Sequence, residues 1–226
     1  MNYTGHLAFG IDTYNYIKNY VKDRDVFLTA CVAPDIAIPE NLTKSKAHFR
    51  DKSDKLYSAP DINIFLDKYK ERINEDFVLG VFCHLYADNV FSTIYMPYIA
   101  KPLDENYNFY NKKDATFVKM TKQNKILKTE DFLKENIIYK DYTKSNNTLL
   151  ETFNIPKNIN FSETDPNIFE IDAHKLKFIQ NEVSKYLKYI NINEDTTLLD
   201  LNEYAKFIKI YSKEFSKLYT DLIKGN

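Results

Sequence analysis

The chain has 226 residues, a mass of 26.7 kDa and a formal net charge of −1 at pH 7. A chain of this length buries roughly 70% of its unfolded surface, and 44% of its residues are hydrophobic, which excludes an intrinsically disordered or collagen-like protein. The balanced charge excludes a protein held to nucleic acid or anionic lipid by bulk charge, because no basic excess is present to release counterions.

Cysteine usage and the first residues favour a cytoplasmic protein. The two cysteines, Cys31 and Cys83, both lie in apolar stretches and are too few for a secreted disulfide scaffold. The first twenty residues lack the basic and apolar regions of a signal peptide. The most apolar segment, residues 77–87, is shorter than the about 18 residues that a membrane helix needs. We therefore expect no transmembrane segment; the oligomeric state stays open.

Apolar residues at helical spacing predict an all-α fold in one domain, residues 1–226. The spacing predicts helices over residues 3–23, 61–73, 167–190 and 197–223, with a short apolar segment at 25–33. The most apolar helix is expected to begin at an Asn74 cap, to run to about Met96 and to stop at Pro97 and Pro102. Residues 35–60 are predicted to form a long loop with about one helical turn.

These elements predict a bundle of roughly six to nine helices. Residues 1–100 form the half that holds a candidate metal site. Residues 101–165 form a polar insertion with short amphipathic pieces at 115–120 and 131–139, and residues 166–226 contribute the C-terminal helices. The chain has only 4 glycines and few alternating strand patterns, which also favours helices over sheet.

The sharpest local motif is His84-Leu-Tyr-Ala-Asp88, inside the most apolar predicted helix. His84 and Asp88 are four residues apart, so they lie on one face of the helix. Gly80 lies one turn earlier on the same stripe and leaves room for a close approach. A buried His and Asp are costly unless they are paired or bound to a ligand. The motif alone fits either a metal site or a buried hydrogen bond.

Three further residues stand at suggestive positions. Asp35 follows Ala33-Pro34 after an apolar segment, His48 lies 13 residues later in the predicted loop, and His6 opens the first helix. Each alone is equally typical of a turn, a solvated loop or the surface. Three basic residues flank His48 and fit either phosphate contact or a solvated loop: Lys44, Lys46 and Arg50.

Taken together and in order, His6, Asp35, His48, His84 and Asp88 resemble the metal ligands of the zinc-dependent phospholipase C family. That family includes the fungal single-strand nucleases and has an all-α fold, and the resemblance covers about the first 90 residues. It implies that Asp35, His48, His84 and Asp88 hold a first metal, and that Asp88 bridges to a second metal held by His6. It also implies that Asp35 orients or deprotonates the attacking water.

The resemblance implies Zn²⁺, as one or two ions, and the three imidazoles and two carboxylates do not exclude Fe or Mn. The sequence departs from the family after Asp88, where no further His precedes Pro97, so a third metal position is incomplete. His174 is the remaining histidine, but Asp172-Ala173-His174 does not match the family pattern. The secreted members also use a processed amino terminus, whereas this chain has Met1.

These residues favour a metal-dependent hydrolase of phosphoester bonds that acts on a small phosphoester or phospholipid-like substrate. One alternative is a non-catalytic helical protein that keeps a partial metal site for stability. A second alternative is an intracellular phosphohydrolase of the HD type, although the sequence has no adjacent His-Asp pair.

Overall fold

A computed structural model describes residues 1–50, 54–189 and 195–225. The protein is mostly helical, about 56% of the chain, with one small antiparallel sheet of strand order β1-β2-β3. Within the described residues the helices are α1 Tyr3–Ile17, α2 Arg24–Ala30, α3 Ala33–Ile36, α4 Lys44–Ala47, α5 Ile62–Tyr69, α6 Asp76–Val90, α7 Met96–Ile99, α8 Thr129–Lys134, α9 Ile137–Thr152, α10 Ala173–Leu176, α11 Ile179–Ser184 and α12 Leu201–Lys224. The strands are β1 Ala100–Leu103, β2 Phe117–Met120 and β3 Lys125–Lys128.

Helix α6 lies at the centre of the core and packs against α1, α2, α5 and α12. Gly80 permits the close approach of α2, as the sequence predicts. A Cβ atom at this position would lie 2.4 Å from the carbonyl oxygen of Phe27 and 2.5 Å from the Cβ of Ala30. Helix α2 and the short α3 that follows it are thereby held against α6.

Helix α12 closes the other side of the core. Its fully buried Phe215 lies 4.9 Å from the ring of Phe82 and 5.2 Å from that of Tyr86, measured between ring centroids. The helix begins at Leu201 after an Asp200 cap, later than the predicted residue 197. The residues just before it are held by a side chain of α9, because the Asp141 carboxylate accepts hydrogen bonds from three successive backbone N–H groups, those of residues 197–199.

The prediction of an all-α fold was wrong in the polar insertion, where β1, β2 and β3 pair in antiparallel register. The piece at 115–120 has buried Val118 and Met120 alternating with half-buried Phe117 and Lys119. That is the period of a strand, but four residues are too few to separate it from a helix by pattern. The piece at 131–139 spans α8 and the start of α9, separated by Asn136 in a left-handed conformation with φ 50°.

The predicted helix over 167–190 was also wrong, because the chain forms two short helices, α10 and α11, instead. Asn167 has a left-handed φ of 50°, and the Asp172 side chain caps α10 by accepting a hydrogen bond from the backbone of His174. A single helix over 167–190 would place Phe169 on its apolar stripe, but Phe169 is 61% exposed. Ile190, at the end of the predicted segment, lies outside the described residues.

Pro97 does not end the apolar helix. Helix α6 continues through a π-helical turn, Phe91–Tyr95, into α7, and Pro97 lies in the first turn of α7. The cap of α6 is Glu75 rather than Asn74, and residues 35–60 contain α4 as well as the end of α3. Residues Asp76–Ile99 are long and apolar enough to cross a membrane, but 72% of the most apolar window is buried inside the protein, as in a core helix.

Candidate metal centre

The structure brings all five sequence-predicted ligands to one place in the core. His6 lies in the first turn of α1, Asp35 in α3, and His48 at the end of α4, while His84 and Asp88 lie one turn apart in α6. Four of them are 0 to 3% exposed, and the Asp35 side chain is 5% exposed. Unpaired polar groups at this depth are unfavourable, so each must be satisfied by a neighbour or a bound ligand.

The backbone fixes the orientation of two imidazoles. The Nδ1 of His84 lies 2.8 Å from the carbonyl oxygen of Cys31, and the Nδ1 of His48 lies 2.9 Å from that of Lys44. A carbonyl accepts only, so each Nδ1 carries the proton of the neutral ring and each Nε2 is left with a lone pair. The two Nε2 atoms face each other at 3.2 Å. Backbone carbonyls orient metal-binding histidines in the same way.

Carboxylates close the space around these lone pairs. The Nε2 of His48 lies 3.1 Å from Asp35 Oδ1, and the Nε2 atoms of His48 and His84 each lie 4.0 Å from Asp88 Oδ2. The potential ligand atoms of Asp35, His48 and His84 all lie within 4.8 Å of one another. These distances are those of donors arranged around a point, each within reach of a shared cation.

His6 completes the cluster from the opposite side. Its ring stacks on that of His84, with centroids 3.8 Å apart and an interplanar angle of 13°. Its Nε2 lies 3.4 Å from Asp88 Oδ1 and 3.6 Å from Asp35 Oδ2, and neither ring nitrogen makes a hydrogen bond. His6, His84 and Asp88 form a second group with ligand atoms within 4.8 Å of one another. A buried imidazole with two unsatisfied nitrogens is the feature that a bound cation would explain.

Burial and neighbouring charges shift the pKa values of four of the five candidate ligands. Burial lowers the pKa of His84 well below its usual value, and burial together with the charge of the amino terminus lowers the pKa of His6. Burial acts to raise the pKa of Asp35, but contact with His48 Nε2 and positive charge at His84 and His6 hold it well below its usual range, which requires a proton or a cation among these rings. The pKa of Asp88 is likewise low, because the amino terminus and His6 outweigh burial. Neutral imidazoles and ionised carboxylates are the forms that bind metals.

Three cationic groups reach the two carboxylates from outside. Lys44 Nζ lies 2.5 Å from Asp35 Oδ1, Arg50 Nη2 lies 3.0 Å from Asp88 Oδ2, and the amino group of Met1 lies 2.5 Å from Asp88 Oδ1. Arg50 returns to the site because Phe49 adopts a left-handed turn with φ 52° directly after His48. Lys46, the third basic residue of the predicted flank, is exposed, and its ammonium group pairs with neither Asp35 nor Asp88.

The cluster opens into a two-part cleft. One part, with a volume of about 360 Å³, reaches Asp88, and the other, of about 340 Å³, reaches Asp35. Four residues border both parts of the cleft: Met1, Lys44, Tyr139 and Tyr142. The sequence alone did not single out the two tyrosines. The tyrosines come from α9, far along the chain from the histidines, so no local motif marks them.

His174 is the one histidine that the structure leaves outside. It is exposed in α10 and belongs to neither group of potential ligand atoms.

Comparisons with models of protein families, with curated proteins and with solved structures find no match for this chain.

Proposed function

We propose that the cluster binds one or two divalent metal ions, Zn²⁺ foremost, and that the protein hydrolyses phosphoester bonds. The observation that supports metal binding is the placement of two Nε2 lone pairs. Those of His48 and His84 face each other at 3.2 Å between two carboxylates. Without a cation, or a shared proton, two lone pairs at this distance repel each other. The ordered resemblance to the zinc-dependent phospholipase C family supports the same function and a related helical fold.

The donor set fits the proposed ions. Asp35, His48, His84 and one oxygen of Asp88 would hold the first ion, and His6 with the other oxygen of Asp88 would hold the second. Mixed imidazole and carboxylate ligands suit Zn²⁺, while Fe and Mn accept the same donors. Bound ions would lower the pKa of a water towards about 7 and stabilise the attacking and leaving oxygens of a phosphoester.

The residues of the chain itself have three roles in this proposal. Asp35, ionised and lining the cleft, orients the attacking water through its carboxylate. Lys44 and Arg50 offset the negative charge of the phosphoryl group, and Tyr142 forms a wall that keeps bulk water away. The cleft is of the size that holds small ligands, which suits a small phosphoester or a lipid head group.

One observation favours the second candidate, a metal site that serves only stability. The ligands are almost wholly buried, and Lys44, Arg50 and Met1 cover the carboxylates, so substrate would have to displace side chains to reach an ion. In that case the protein would bind metal tightly and catalyse nothing. No comparable feature supports a phosphohydrolase of the HD type, because the sequence has no adjacent His-Asp pair.

The test measures metal content and hydrolysis in the same preparations. Purified protein, stripped and reloaded with Zn²⁺ or Mn²⁺, is analysed by elemental mass spectrometry and assayed on bis-p-nitrophenyl phosphate and on a panel of phosphomonoesters and diesters. We expect bound metal and slow hydrolysis that chelation abolishes. His84→Ala should lose both, and Asp35→Asn should lose hydrolysis. His174→Ala, which changes a histidine outside the cluster, is the control and should keep both.

Two results would overturn the enzyme proposal. If metal-loaded protein hydrolyses no phosphoester yet loses thermal stability when stripped, the structural role is correct. If hydrolysis persists in His84→Ala, the chemistry lies at another place in the protein.

A further inference from the structure

The outer face of the small sheet combines lysines with exposed apolar side chains. The register places Lys101, Lys119 and Ile126 side by side across the three strands, and the next row on the same face holds Phe117 and Lys128 beside Leu103, which is itself buried. Side chains alternate between the faces of a strand, so the residues between these rows, such as Val118, point into the core. We call these two rows, with the 104–109 turn beside them, the outer sheet face.

A shallow groove of about 350 Å³ runs along this face. Its lining residues are Lys101, Leu103, Tyr107, Lys119, Thr121 and Ile126. Beside it Tyr107, Phe109 and Ile126 are 58%, 55% and 43% exposed. Exposed apolar side chains that cluster in this way, rather than singly, mark a surface that binds a partner.

The charge of this region differs from that of the whole chain. Residues 100–128 contain seven lysines and three acidic residues, whereas the chain as a whole has a net charge of −1. In the described part of the chain, no ion pair with a carboxylate engages Lys101, Lys119 or Lys128. The positive charge is therefore local and available, although the net charge excludes binding by bulk charge alone.

We propose that the outer sheet face docks on an anionic lipid surface. Lysines next to half-exposed aromatic and aliphatic side chains suit a membrane interface, where the apolar parts enter the headgroup layer and each lysine pairs with lipid phosphate. A single-stranded nucleic acid fits less well, because it needs free aromatic faces for stacking. Here Phe117 covers one face of Tyr107 at 5.1 Å, and Lys101 lies over Phe109 at 5.9 Å.

Strand β1, which carries part of the outer sheet face, begins beside the cleft of the metal centre. The hydroxyl of Tyr57, which lines the cleft beside Asp88, donates a 2.7 Å hydrogen bond to the carbonyl oxygen of Ala100 in β1. Met96, just before β1, lines the same cleft. The docking itself involves none of the five candidate ligands and does not depend on catalysis.

The experiment is co-flotation of the full chain with vesicles of phosphatidylcholine alone and with 30% phosphatidylserine, at increasing salt. We expect binding to the anionic vesicles only, weakening as salt rises. The triple variant Lys101→Gln, Lys119→Gln, Lys128→Gln should lower the vesicle partition coefficient about 100-fold, at about fivefold per lysine. Ile126→Asn should weaken the binding that remains at high salt.

The matched control removes the same charge elsewhere. Lys206→Gln, Lys213→Gln and Lys217→Gln change three exposed lysines of α12 and should leave binding within twofold of the wild type. The proposal is overturned if the wild type does not float with anionic vesicles, if both triple variants lose binding equally, or if a single-stranded oligonucleotide binds this face while vesicles do not. Because every variant keeps the metal ligands, a negative result here leaves the metal and hydrolysis measurements unaffected.

Discussion

Lys44 and Arg50 each contact a carboxylate of the cluster while bordering the cleft, so they are the side chains best placed to meet a phosphoryl group. Lys44→Gln or Arg50→Gln should lower kcat/KM for a phosphoester about 10- to 100-fold, the effect of losing one hydrogen bond to a charged group. Metal content should not change. Lys46→Gln alters an exposed lysine of the same short helix and should have no effect. If all three variants have the same kcat/KM, Lys44 and Arg50 do not contribute to substrate binding.

Asp141 has a structural role that can be measured at a single residue. It is fully buried, and one of its oxygens accepts hydrogen bonds from the backbone N–H groups of both Leu198 and Leu199. In Asp141→Asn an amide NH₂ group replaces one of the two carboxylate oxygens. At least one of the buried backbone N–H groups of residues 197–199 then has no acceptor. The free energy of unfolding in urea should fall by about 2–4 kcal/mol. Asp172→Asn, at a cap near the surface, should cost less than about 1 kcal/mol; equal losses would contradict this account.

At the scale of elements, the contact between α2 and α6 positions most of the metal centre. Helix α2 carries the Cys31 carbonyl that orients His84, and α3 with Asp35 follows directly. Gly80→Ala would place a Cβ against α2 and should destabilise the protein by about 1–3 kcal/mol. It should also weaken metal binding, measured by competition with a chromogenic chelator.

Gly225→Ala is the control for this substitution. A Cβ at Gly225 would meet its nearest neighbour at 3.4 Å, an ordinary contact, so stability and metal binding should not fall. If Gly80→Ala has as small an effect, the close approach of the two helices does not control the site.

Elements with a long, regular apolar stripe could be predicted from the sequence, and shorter ones could not. The stripe of α12 is long enough for its period to be unambiguous, whereas β2 has four residues, and the segment after the left-handed Asn167 forms only the short α10 and α11. The order of the histidines and aspartates along the sequence predicts the five residues whose side chains converge in the structure. The Met1 and Tyr142 contacts depend on packing between distant segments, which no local pattern encodes.

For the whole molecule, the prediction concerns metal and folding. A ligand that binds only the folded state at 100 times its Kd stabilises it by about 2.7 kcal/mol. Zn²⁺ at that excess should therefore raise the free energy of unfolding by this amount, and chelation should reverse it. His84→Ala should show no dependence on Zn²⁺. The loss of helical circular dichroism and the release of metal should occur at the same urea concentration, because the ligands belong to the common core; two separate transitions would contradict this.

The packing of α12 on α1 also has a consequence for how the chain folds during its synthesis. Ser212 donates a hydrogen bond to Asp12, two hundred positions earlier, and Phe215 fills the space beside Phe9 and Phe82. Contacts so distant in sequence form late, because a long loop must close first. While the ribosome is still adding residues 201–224, the side of α6 that packs on α12 has no cover and is open to aggregation or to chaperones. The histidines and aspartates emerge long before, but the core around them is complete only once α12 has docked, so we expect tight metal binding to follow that docking.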